Sequence, residues 1–203
     1  ARVLEPIFVQ QPEHPGAAHY LIHSYDYPPI AQHGIEAAKR YSKIAPDASH
    51  ALHMPSHIFS RVGHWRESIE ANRASADAAR SSIPNRVHAY DYLVYAHLQL
   101  GQDRAAAEVL ADAQKIKQTS DAFPSACGPG RSDRSTGILQ HYYVLPLFAL
   151  VRFGRWREIL EDTLPPDVAE PYPRAIWHYA RGTAFAKTGR IAEARRERDA
   201  LAR

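Results

Sequence analysis

Four short glycine-centred signals punctuate the chain: Val62-Gly63-His64-Trp65, Leu100-Gly101-Gln102-Asp103, Phe153-Gly154-Arg155-Trp156 and Thr188-Gly189-Arg190-Ile191. Each follows an apolar pattern at helical spacing and precedes another. A glycine in the left-handed conformation ends one helix and turns the chain into an antiparallel partner. The glycines are separated by 38, 53 and 35 residues, which suits a helix-turn-helix unit of about 34 residues with one insertion. The pattern predicts an all-α chain of about five helical pairs, at 14–47, 48–83, 84–119, 138–165 and 172–203. The insertion is the segment 119–137, polar and rich in Gly, Pro and Ser, which reads as an extended loop. Ala1 to Gln11 reads as the second helix of a repeat whose first helix is absent, so 1–13 is expected to trail into a single domain spanning 1–203. Such a start leaves an apolar helix face that would favour a homodimer or be covered by a missing segment.

The last unit, Arg174 to Ala194 (RAIWHYARGTAFAKTGRIAEA), and the first-unit ending Ile44-Ala45-Pro46-Asp47-Ala48 resemble the tetratricopeptide repeat. That family places aromatic, Leu-Gly and Tyr signatures in a first helix, then Ala, an aromatic and a closing Pro. The resemblance covers nearly the whole chain and implies a right-handed α-solenoid, each pair burying its neighbour's apolar face. The runs HPGAAHYLIHSYD and HALHMPSHIFSRVGHW are similar to a block in a group of bacterial tetratricopeptide-repeat proteins of unassigned activity. This second resemblance is close over residues 14 to about 65, and it supplies no reaction.

Composition narrows the functional classes. Lys plus Arg total 25 against 22 Asp plus Glu, interspersed, so there is no basic stripe and no nucleic-acid partner is expected. No apolar run is long enough to span a bilayer. The single cysteine, Cys127, excludes an internal disulfide and a cysteine-rich zinc finger. Histidine is the anomaly: 12 are present against five lysines, and eight of them lie between His14 and His64.

In the family that the chain resembles, first helices line a concave groove through their second, fifth, ninth and twelfth places, counted with the hinge glycine as fifteenth. Those places hold His50, His53, His57 and Ser60 in the second unit, and His88, Asp91, Tyr95 and Leu98 in the third. His141 takes the second place of the fourth unit. Registered by Pro46, the first unit presents His19, His23 and Asp26. His19 to His53 and His23 to His57 are each 34 residues apart, one repeat.

Helix geometry alone agrees, since residues four apart share a face. His19, His23 and Asp26 occupy one arc of their helix, and Ala18, Leu21, Ile22 and Tyr25 another that must pack inward. Two imidazoles four residues apart can hold one ion. The expected site is therefore a metal centre of His19, His23, Asp26, His53 and His57 for a divalent transition metal such as zinc, copper, iron or nickel. His50, His88, Asp91 and His141 are candidates for supporting ligands or a second ion. The spacing His53-x-x-x-His57 lacks the glutamate of a zinc metalloprotease motif. The competing expectation is an interaction scaffold whose groove histidines bind a peptide or protein, an anionic ligand in particular, with pH-dependent affinity. His14 fits a helix start better than a ligand position, and His33, His64 and His97 read as ordinary surface or hydrogen-bonded residues.

Overall fold

A computed structural model describes residues 1–119, 140–161 and 171–202, which are helical with no strand among them. The chain divides into two compact units, Ala1–Gln102 and Asp103–Arg203. The division falls at the hinge inside the third expected pair. The insertion expected at 119–137 lies, beyond Thr119, outside the described residues, and Cys127 with it.

The first unit runs α1 (Leu4–Gln10), α2 (Pro15–Tyr25), a 3₁₀ helix (Pro28–Gly34), α3 (Ile35–Ile44), α4 (Ser49–His53), α5 (Pro55–Val62), α6 (Trp65–Ala78) and α7 (Ile83–Gln99). The second contains α8 (Asp103–Thr119), α9 (His141–Phe153), α10 (Trp156–Glu161), α11 (Pro171–Lys187) and α12 (Ile191–Leu201). All four hinge glycines take positive φ, at 77° for Gly63, 66° for Gly101, 67° for Gly154 and 79° for Gly189. No other described residue does so. The turns between helices are therefore set by the residue type that can adopt them without a Cβ clash.

The first pair has no such hinge, and the 3₁₀ helix turns the chain instead. It ends at Gly34, where an added Cβ would lie 2.7 Å from Ile58 Cδ1 and 3.1 Å from Tyr25 Cβ. At α2 the start is built as its sequence suggests. Pro15 opens the helix and His14 Nδ1 accepts from the Ala17 amide at 3.2 Å, satisfying a donor that has no intrahelical partner.

The apolar arc of α2 is buried: Ala18, Leu21, Ile22 and Tyr25 join Ala37, Ala38 and Tyr41 of α3 and Ala51, Met54, Ile58 and Phe59 around α4 and α5 in one core. The histidine arc lies about a third of a turn round the same helix, with His19 beside His50 of α4 and His23 beside His57 of α5. The second unit has its own core of Leu147, Ile159, Ala180 and Ala184, flanked by Trp156 and Trp177.

One expected helix is split in two while its register is kept. Residues 49–62 form two helices because Pro55 has no N–H to donate back along the helix. The joint is mild, since Met54 keeps right-handed dihedrals of φ −52° and ψ −37°. His50, His53 and His57 therefore still project to one side.

Candidate metal centre

Six of the twelve histidines meet in the first unit, carried by α2 (His19, His23), α4 (His50, His53), α5 (His57) and α7 (His88). Five form a closed ring of neighbouring imidazoles. Centroid separations are 4.8 Å for His19–His23, 5.1 Å for His19–His50, 6.4 Å for His50–His53, 5.0 Å for His53–His57 and 5.9 Å for His57–His23. His88 adds a sixth, 4.3 Å from His53.

Within this cluster His53, His57 and His88 each offer a donor nitrogen, and the three nitrogens lie within 4.8 Å of one another. His53 is buried at 2 % exposure, while His57 and His88 are half-buried. Neighbouring groups fix which nitrogen two of these rings present. Asn72 Nδ2 donates to the Ser68 carbonyl at 2.7 Å, which turns Asn72 Oδ1 toward His53 Nδ1, also at 2.7 Å. His53 Nδ1 therefore carries the proton. His57 Nδ1 lies 2.9 Å from Asp26 Oδ2 and donates to it, with the Tyr92 hydroxyl 3.3 Å away.

When both rings carry their proton on Nδ1 alone, the two Nε2 lone pairs face each other across 3.1 Å. Two bare lone pairs at that distance repel unless a cation lies between them. A proton can bridge only two nitrogens, and His88 brings a third. A tetrahedral ion with metal–nitrogen bonds of about 2.0–2.1 Å holds its donors about 3.3 Å apart, so the His53–His57 separation suits one metal ion. The donor set fits a transition metal that prefers imidazole.

The surroundings of His19, His23, His50 and His53 favour the uncharged ring. Burial, then the like charges that His88 and His57 would carry, hold the His53 pKa well below its ordinary value. Burial, followed by His23, His50 and His57, lowers His19 to about 4. His23 and His50 are lowered mainly by the same partial desolvation. Neutral imidazole is the form that binds metal. Asp26 is the counterpoint: the hydrogen bond from His57, with a further contribution from Arg61, lowers its carboxyl to about 2 despite desolvation.

The histidines named from the sequence fall into two adjoining groups. His53, His57 and His88 lie together in a compact triad. His19 and His23 stand with His50 in an adjoining set, their Nε2 atoms 3.1 Å apart. Asp26 accepts from His57 through one oxygen and from Arg61 Nε at 2.7 Å through the other; it orients an imidazole. Asp91 acts electrostatically on Tyr92, whose pKa is raised chiefly by burial and then by Asp26 and Asp91. Tyr95 packs edge-on against Trp65 and Leu98 is buried. His141 lies in the second unit beside Tyr172, 6.2 Å between rings.

Asn72 was not legible as a site residue from the groove register, because α6 is a second helix. Its signal was a polar stripe where an apolar one belongs. Ser68, Asn72 and Ser75 are all buried at 1 % exposure or less, and buried polar groups on a packing face must find partners. Asn72 finds one in His53.

Compared with known proteins, the chain matches no protein-family model and no curated protein. Its function therefore rests on the chemistry of the site.

Proposed function

We propose that this protein is a helical-repeat metal-binding protein, holding a divalent transition ion through His53, His57 and His88. The helix pairs are read as tetratricopeptide-like units stacked in a right-handed solenoid, with the first helices presenting the histidines. Supporting that reading are the left-handed hinge glycines and the convergence of histidines from α2, α4 and α5.

The observation that carries the metal assignment is the meeting of the His53 and His57 Nε2 atoms at 3.1 Å, with both Nδ1 atoms committed to Asn72 and Asp26 and a third imidazole within reach. Acceptors behind the ligands are the usual means of fixing a metal-binding histidine's tautomer and raising its basicity. Three protein ligands leave a coordination position open, the arrangement in which a bound ion serves as a Lewis acid at neutral pH.

The test is metal content of the chain purified without an affinity tag or chelator, followed by competition with a chromophoric chelator. His53→Ala and His88→Ala should abolish tight binding, whereas His33→Ala should leave it intact. Asn72→Leu should keep the stoichiometry and weaken affinity roughly 10- to 100-fold. No uptake of zinc, copper, nickel or iron would reject the metal reading in favour of a groove that binds a peptide.

A further inference from the structure

The histidines left over from the triad form a second cluster beside it. His19 Nε2 lies 3.1 Å from His23 Nε2 and 3.2 Å from His50 Nε2. His19 and His23 are one turn apart on α2, and His50 comes from α4, so two elements converge on one nitrogen. The His19 ring is held in place by stacking on Tyr41, with centroids 5.4 Å apart and planes 11° from parallel. An imidazole Nε2 has a single in-plane site, occupied either by a proton or by a lone pair. Hydrogen bonding therefore satisfies one of the two contacts well and leaves the other poor. His23 and His50 flank the His19 lone pair from two elements, so an ion seated there would draw the two outer imidazoles inward to complete its coordination.

We propose that His19, His23 and His50 hold a second divalent transition ion beside the one at His53, His57 and His88, making the centre dinuclear. This rests on the metal reading of the first triad. The two sets adjoin along two edges, His23 against His57 at 5.9 Å and His50 against His53 at 6.4 Å between ring centroids. They differ in depth. His53 is fully enclosed, whereas His23 and His50 are exposed and His19 is half-buried. The outer position is therefore open to solvent and exchanges its ion faster, while the inner one binds more tightly. An all-imidazole set selects zinc, copper, nickel or cobalt over magnesium and calcium, which take oxygen ligands.

The experiment is titration of the chelator-stripped full chain with cobalt(II) and then copper(II), following ligand-field absorption and electron paramagnetic resonance. Wild type should take up two equivalents, and its copper form should show a signal broadened or lost through coupling between neighbouring ions. The exposed single variant His23→Gln and the double variant His19→Gln/His50→Gln should each bind one equivalent, with the narrow spectrum of an isolated ion. Circular dichroism checks that helix content is kept. One equivalent in wild type, abolished by His88→Gln and untouched by His23→Gln and by the double variant, would overturn the second position and leave the first standing. Two equivalents with uncoupled spectra would overturn the dinuclear arrangement. Absence of uptake in every form would remove both.

Discussion

Individual side chains in the cluster give the metal-free protein a defined response to acid. His19 titrates in the folded protein at about 4 against an ordinary value of 6.5, and His53, His23 and His50 are lowered in the same direction. Between those two values the unfolded chain binds protons that the folded protein refuses, so stability falls as the pH drops through this window and is full above it. Asp26 works in a separate window. Its carboxyl is lowered from 3.8 to about 2, so the stability it contributes is present above the unfolded value and lost only as the pH falls toward the folded one. The denaturation midpoint of the stripped protein should therefore begin to decline near pH 6.5 and continue falling toward pH 4. In His19→Gln the decline should be shallower. A midpoint that stays level from pH 7 to pH 4.5 would contradict neutral, desolvated imidazoles.

At the scale of elements, the site depends on how closely the 3₁₀ helix approaches α5. Gly34 has ordinary right-handed dihedrals, φ −84° and ψ −7°, so it is required for space and not for conformational freedom. Gly34→Ala drives a methyl into Ile58, itself fully buried, and overpacking of this kind costs about 1–3 kcal/mol. Ile58→Val removes the Cδ1 atom at 2.7 Å and alone costs about 0.5–1.5 kcal/mol. The double variant should be less destabilised in chemical denaturation than the sum of the singles. Strict additivity would show that the two residues do not meet. The same elements explain why the register of 49–62 survives Pro55. The proline interrupts the hydrogen-bond ladder, but right-handed Met54 carries the helix direction across, and His53 and His57 stay 3.1 Å apart at Nε2.

For the whole molecule, every residue of the proposed centre belongs to the unit Ala1–Gln102. A ligand that binds only the folded form stabilises by about 2.7 kcal/mol at a hundredfold excess over its dissociation constant, and that gain belongs to the elements that hold it. Hydrogen exchange with and without zinc should show slowed exchange across 15–25, 49–62 and 83–99, and little change across 171–201. Equal slowing in the last segment would argue against a site confined to the first unit. Much of this layout was legible beforehand. Helix type and hinge positions follow from local chemistry, because apolar periodicity sets which face is buried and glycine alone enters the left-handed region cheaply. His53 and His57 were legible for the same reason, being four apart on one face. What sequence periodicity could not decide is which donors meet across helices. Inter-helix angle and depth made His88 a triad member, turned Asp26 into the acceptor behind His57, and brought Asn72 from a second helix to His53. Those are facts of side-chain packing between segments distant in the chain, and only the tertiary structure contains them.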